Sequence, residues 1–367
     1  MLEMRTSERG SLKRCPQQWY WGQVEGLRPN RAANPLWFGT AVHEGLAQWY
    51  LPGLKRGPHP AETFEKYLDG ERVMLVTSEE EELQYVDARA LGIDMLTRYV
   101  DLYGKDDSWF VIATEQKGAV VIDRPEMQIF GRTRPALKRW VRYNFTWDGV
   151  YRDLKDEQIK LMEHKTAAAI STLHLSLDDQ AGSYWAIASQ TLVKQGVLKP
   201  DDEIVAITYN FLRKALKDPR PQDAEGYYTN KPTKDDLIDV LDPIFELTGK
   251  ETAATLQDYA DEQKIVVLGE RSKSQPPDYF LRHDVYRTRS ERETQIQRIK
   301  DEALFIEAYR RKYLPITKSP DRQHCLWCPF KRMCELDEQG DAEAVEAFKD
   351  TMFHVEDPYA VYKKSAE

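Results

Sequence analysis

The chain has 367 residues, long enough to bury a large α/β core, or two, without disulfide or metal staples. Its 52 Lys and Arg stand against 61 Asp and Glu, a formal net charge of −9, which excludes a uniformly basic nucleic-acid-coating protein. It holds no apolar run of about 18 residues and no basic-apolar-small leader, so a soluble, cytoplasmic protein with no membrane partner is expected.

Residues 1–36 read as irregular, aromatic and polar, with Cys15-Pro16 ahead of Trp19, Tyr20 and Trp21. A helical part, 37–108, follows. Its first helix takes Thr40 as N-cap and lines up Val42, Leu46 and Trp49, while His43 lies off that stripe near Ala47 and Tyr50. Three Pro and two Gly make 51–60 a loop. Ser78 and Glu81 have capping-box spacing, so the acids at 79–82 belong to a helix's first turn rather than to a binding patch. That helix aligns Leu83, Val86, Leu91, Met95 and Val100 and stops at Gly104.

A catalytic core is expected over 109–211. Strands fill 109–131 and include Glu115. Arg132, Arg134, Lys138, Arg139 and Arg142 then form a basic cluster, suited to a solvated face or to a phosphate backbone. The run FTWDGVYRDLKDEQIKLMEHK, 145–165, alternates as two strands about a polar turn. Period-2 geometry sets Glu163 and Lys165 on the face of Ile159 and Leu161, and turns His164 away so that it offers only its carbonyl to that side. Asp148, on the first strand, comes within reach of Glu163. Two converging acids are costly to bury unless neutralised, and a divalent cation with oxygen ligands would neutralise them. A helix near 178–190 then carries Gln180 and Tyr184 one turn apart, and a strand at 204–211 completes a crossover that implies a partly parallel sheet. Loop over 218–234, helix over 235–263, strand over 279–285 and helix over 290–313 follow. No internal repeat or low-complexity linker appears, so one elaborated domain is expected.

The remaining cysteines fall in Cys325-Leu-Trp-Cys328 and Cys334, beside His324; three thiolates and an imidazole could hold zinc. Charge is segregated here. Arg282 to Cys334 has thirteen Lys and Arg against seven acids, whereas the tail from Glu335 to Glu367 has ten acids and three Lys, so local binding of DNA stays open despite the net charge.

In their order these motifs resemble the RecB-like branch of the PD-(D/E)XK nuclease superfamily: Asp148-Gly149, Glu163-His164-Lys165, then Gln180 and Tyr184 in a Q-x-x-x-Y helix. The resemblance implies an α/β fold with a mixed central sheet flanked by helices and extended by helical insertions. It implies a metal-dependent exonuclease acting on DNA ends or single strands, with Asp148, Glu163, Lys165, Gln180 and Tyr184 as site residues. His43, in a Gly39-x-x-x-His43 context, would join Asp148, Glu163 and the His164 carbonyl around Mg²⁺ or Mn²⁺. Glu115 stands where the family often has an acid, in a supporting role. The spacing of Cys15, Cys325, Cys328 and Cys334 resembles the AddB-type and CRISPR-associated members, which implies a 4Fe-4S cluster joining segments 1–36 and 315–336. No phosphate-binding G-x-x-x-x-G-K-[ST] loop occurs, so any unwinding would come from a helicase or recombination partner, in a bacterial or phage-infected bacterial cell. Two rival readings are a non-catalytic iron-sulfur DNA-binding scaffold and a zinc-stabilised interaction module presenting the acidic tail, 337–367.

Overall fold

The computed structural model describes residues 1–30, 34–76, 78–123, 127–129, 132–134 and 140–363. The N-terminal part runs β1 (Leu2–Arg5), α1 (Thr6–Arg14), α2 (Pro16–Trp19), β2 (Leu27–Pro29), α3 (Asn34–Trp49), α4 (Pro60–Leu75) and α5 (Glu79–Tyr103). The centre follows with β3 (Trp109–Ile122), β4 (Met127–Ile129), β5 (Arg132–Arg134), β6 (Val141–Asp153), β7 (Gln158–Ala167), α6 (Asp179–Lys194) and β8 (Ile204–Arg213). After α7 (Lys234–Phe245) and α8 (Ala253–Glu262) come β9 (Phe280–Tyr286), α9 (Arg289–Arg310), α10 (Arg322–Leu326), α11 (Lys331–Glu338), α12 (Ala342–Met352), β10 (Phe353–Val355) and α13 (Ala360–Lys363). Contacts group the chain into two compact units, Met1–Lys214 with Phe280–Glu367, and Ala215–Tyr279. The second unit is built on Leu237, Leu241, Leu256, Ala260 and Val267, with α7 opened by a reciprocal Thr233–Asp236 capping box. Among the described residues no helix is long and apolar enough to cross a membrane.

The first unit is a mixed sheet flanked by helices. β6 is its spine: β3 pairs antiparallel along one edge, while the other edge is shared between β1, parallel at Val141–Asn144, and β7, antiparallel at Gly149–Asp153. β8 then runs parallel to β7, and β9 closes antiparallel to β8. The parallel step requires a crossover, and α6 supplies it. One sheet face buries Phe145, Trp147, Ile159 and Leu161 under Trp185, Ile187 and Ile299 of α6 and α9. The other packs Tyr151, Met162 and Leu212 against Val42, Phe64, Met95 and Tyr99 of α3, α4 and α5. β7 keeps period-2 alternation, whereas β6 changes phase around Asp148: Val150 joins Phe145 and Trp147 on the first face and Tyr151 lies on the second, the reverse of regular alternation.

Several elements depart from the sequence expectation. Residues 1–36 are not irregular in their described part, since β1 and α1 are regular. The helix TSERGSLKR has a single large apolar residue, Leu12, and is seated instead by ion pairs on buried Glu8 and Arg9, which no hydrophobic stripe reveals. α3 begins at Asn34 rather than Thr40; Pro35 suits a first turn, where its missing N–H is no loss. α4, entered by way of His59, falls within the expected helical part, 37–108, though the loop expected over 51–60 ends at its first residue, Pro60. In α5 the Ser78 hydroxyl caps the Glu81 N–H as expected, but Leu83 and Val86 are exposed, and the buried face carries Tyr85, Ala88, Gly92, Met95, Leu96 and Tyr99. The phase is set by Gly92, where a Cβ would stand 2.1 Å from the Phe64 ring.

Candidate active site

Asp148 sits on β6 between the stretches claimed by β1 and by β7, where the sheet forks. Its Oδ2 accepts the His164 backbone N–H at 2.6 Å, so a side chain substitutes for the ladder at the fork. Its Oδ1 lies 3.0 Å from Nδ1 of His43 on α3. Glu163, on β7, is buried, and its Oε1 accepts from Lys165 Nζ at 2.7 Å. Strand alternation turns Glu163 and Lys165 to the α6 face and His164 to the opposite one, as the sequence pattern requires.

Electrostatics separates the two acids. Burial pushes the Asp148 carboxyl upward, but His43 and the His164 N–H outweigh it and hold the group below the usual carboxylate range. Glu163 goes the other way: burial first, with Asp148 and Asp178 adding repulsion, lifts it well above that range although Lys165 opposes the shift. For His43, burial favours the neutral ring, yet Asp148, with Glu163 and Glu115 behind it, raises the pKa to about 9. Burial leaves His164 neutral, with a pKa near 4. Thus each acid has a cation beside it, protonated His43 for Asp148 and Lys165 for Glu163.

Gln180 lies on the first turn of α6 with an exposed side chain, while Tyr184 is buried in the core one turn on, close enough for Glu163 to raise its pKa. Glu115 of β3 is half-buried, and burial raises its pKa. Two residues that sequence reasoning missed belong here. Asp178 caps α6 through Oδ1, accepting from Gln180 N at 2.8 Å, and brings Oδ2 to 3.7 Å from Lys165 Nζ. Asn210 of β8 contacts the His164 ring at 2.8 Å. An acid just before the Q-x-x-x-Y helix is a readable N-cap signal, but nothing local marks Asn210.

The basic cluster is only partly described. Arg132 and Arg134 form the two ends of β5, paired with β4; Lys138 and Arg139 lie outside the described residues. Arg142 is half-exposed, 4.0 Å from Glu3, and shares a cleft of about 390 Å³ with Lys117. Within the basic stretch after β8, several guanidinium groups turn inward: Arg282 bonds Asp106, Arg292 bonds Glu203 and Arg310 bonds Glu8, so the local excess of charge is largely engaged by the fold.

Cys15, Cys325, Cys328 and Cys334 all line one cavity of about 310 Å³, walled by Trp21 and Phe330. Burial raises the thiol pKa of Cys328 and lifts that of Cys334 to about 11, each also feeling the other cysteines. His324 is exposed, 3.4 Å from Asp321. Among the described residues no three His, Cys, Asp or Glu side chains converge closely enough to share a metal ion.

No curated protein matches the chain in sequence. The family model for the PD-(D/E)XK nuclease superfamily, whose members are typically metal-dependent nucleases, matches residues 7–335 and so spans both the forked sheet and the cysteine segments. The acid at the fork, the acid-x-lysine strand end and the crossover helix all fall inside that match, and the chain belongs to the PD-(D/E)XK nuclease superfamily.

Proposed function

We propose that the chain is a metal-dependent DNA exonuclease that hydrolyses phosphodiester bonds at DNA ends or on single strands. What carries the reading is the buried acid pair at the sheet fork, each acid neutralised by its own cation, His43 beside Asp148 and Lys165 beside Glu163. Such a pair suits a hard divalent ion, because isolated carboxylates at this depth need compensating positive charge. His43, Asp148, Glu163 and the His164 carbonyl would hold Mg²⁺ or Mn²⁺. When bound, that ion lowers the pKa of a water and stabilises charge on the attacked phosphate. Lys165, released from Glu163, would then orient the water or meet the negative charge that develops on the phosphate. Tyr184 would steady the site from α6, Gln180 stands exposed where a strand could meet it, and Arg142 with the neighbouring cluster would track the DNA backbone.

Cys15, Cys325, Cys328 and Cys334 would hold a 4Fe-4S cluster, the ligand set that four soft thiolates favour. Their shared cavity supports this, and His324 is not among the residues that line it, which disfavours zinc with that histidine. In this reading residues 215–279 are inserted into one elaborated nuclease domain, which works with a separate helicase or recombination partner in a bacterial or phage-infected cell.

The test is cleavage of end-labelled single- and double-stranded DNA with Mg²⁺, with Mn²⁺ and with chelator. Cleavage should require the metal and fall by at least about a thousandfold in Glu163→Ala and Lys165→Ala with the fold retained. Undiminished activity in a folded Glu163→Ala protein would sink the assignment, and metal-dependent DNA binding without any cleavage would favour a scaffold.

A further inference from the structure

Behind the acid-x-lysine strand end, on the face away from Glu163 and Lys165, lies a polar network that the proposed reaction does not use. Its first member is His164, buried and neutral, stacked 5.9 Å from the Tyr50 ring. Asn210, its direct neighbour in the parallel β7–β8 register, donates from Nδ2 to the His164 Nδ1 at 2.8 Å and to the Tyr99 hydroxyl at 2.9 Å. An accepting Nδ1 leaves the imidazole proton on Nε2. Tyr99 also accepts from Arg282 at 2.8 Å, so its own proton goes to Tyr50 at 2.6 Å, and that of Tyr50 goes to Asp106 at 2.7 Å. Arg282 closes the network with two bonds to Asp106, at 2.6 and 2.8 Å. Its guanidinium is clamped 3.5 Å from the Tyr103 ring centre and 3.9 Å from that of Trp109.

We propose that Asn210 and Arg282 are positioning residues, a satisfied buried network that fixes the His164 imidazole and through it the catalytic strand end. The chemistry of the site passes through His164 at the backbone: its N–H holds Asp148 Oδ2. A shift of the β7 backbone at this residue therefore moves both halves of the acid pair. The network is a costly way to fill space, since an apolar packing of similar volume is often as stable as a buried ion pair. What it supplies is direction, because the Asn210 amide donor fixes which ring nitrogen of His164 accepts and so holds the ring in one orientation. Met162, two residues earlier on the same face, packs in the apolar core, so the change to polar anchoring coincides with the catalytic segment.

The kinetic part of the test rests on the nuclease reading; the exchange part does not. The primary variant is Asn210→Leu, nearly isosteric and still apolar-compatible with Tyr50, beside Asn210→Asp, which can accept from Arg282 and from a His164 ring protonated at Nδ1. With linear DNA and Mn²⁺, Asn210→Leu should lower kcat by about ten- to a hundredfold, the scale of a displacement near 1 Å, with KM changed less than about twofold. Amide hydrogen exchange should speed up over Glu163–Lys165 and stay unchanged along β3, and Asn210→Asp should restore most of both. Wild-type kcat and wild-type exchange over Glu163–Lys165 in Asn210→Leu would overturn the proposal. So would exchange that accelerates uniformly across the sheet, the mark of a merely structural residue. If the wild-type protein cleaves no DNA, the nuclease reading fails alone, and local exchange still decides whether Asn210 fixes the strand end.

Discussion

His43 and Lys165 each hold a positive charge where the proposed metal would act, so metal binding is coupled to protons. His43 must lose its proton to become a ligand, and its pKa in the metal-free chain is raised to about 9 by Asp148 against the effect of burial. Apparent Mn²⁺ affinity should therefore rise with pH, by up to about tenfold per unit, and level off above about pH 9. Titration calorimetry in buffers of different ionisation enthalpy should show at least about one proton released at pH 7, His43 supplying most of it and Glu163, whose pKa burial lifts, adding to it. His43→Ala should bind more weakly and lose most of that slope; an unchanged slope would show that the proton comes from elsewhere. Asp178 gives a second residue-level expectation. It caps α6 with one oxygen and faces Lys165 with the other, so Asp178→Asn keeps the cap and removes the charge, whereas Asp178→Ala removes both. Thermal stability should drop only in the alanine variant, by about 1 kcal/mol, while kcat should fall in both. Equal kcat in Asp178→Asn and wild type would leave Asp178 as a helix cap alone.

At the scale of elements, packing between α4 and α5 depends on a side chain that is absent. Gly92 lets the Phe64 ring lie against the α5 backbone, and a Cβ there would meet Phe64 at 2.1 Å. Gly92→Ala gains roughly 1 kcal/mol of helix propensity but forces overpacking worth about 1–3 kcal/mol or more, so the net effect should be destabilising. Adding Phe64→Leu should recover part of the loss, which urea unfolding of the two single variants and the double variant would measure; strict additivity would mean that the ring and the helix do not meet. The same helix shows what was legible beforehand. Its cap and its stop at Gly104 are local and legible, and Met95, Leu91 and Val100 of the expected stripe meet the core, whereas Leu83 and Val86 are exposed and Tyr85, Ala88 and Gly92 take the face there, because a glycine adds nothing to a hydrophobic stripe. The β6–β7 hairpin and the α6 crossover are legible for a related reason, since alternation and the order of motifs are properties of neighbouring residues; the change of phase in β6 that puts Val150, not Tyr151, on the face of Trp147 is not. α1 was not, since Arg9 is held by Asp179 and Ser183 and Glu8 by Trp19, partners that only the folded chain brings near. The site divides in the same way, the acid-x-lysine being a local pattern and the Asn210–Arg282 network a tertiary one.

At the scale of the molecule, the two ends of the described chain meet through protein contacts. β10 pairs antiparallel with β2, and Glu8 of α1 bonds both Arg310 and Tyr359. Trp21, Leu27, Phe330, Met333 and Phe353 form a small core from both ends. The four cysteines sit beside that core, so a cluster held by them would close a loop of about three hundred residues, constraining the unfolded chain by roughly 6 kcal/mol in the loop-entropy estimate. Cys15→Ser should therefore remove iron and visible absorbance together. It should also loosen α10 and α11, remote in sequence from position 15, because the small core alone must then hold them. DNA cleavage should weaken through lost stability rather than lost chemistry, since Glu163 and Lys165 lie elsewhere on the sheet, and activity should recover at lower temperature. Iron content, absorption and limited proteolysis of Cys15→Ser beside wild type are the measurements. Full iron loading with an unchanged digestion pattern would show that Cys15 is no ligand, and zinc in place of iron in the wild-type protein would overturn the cluster itself.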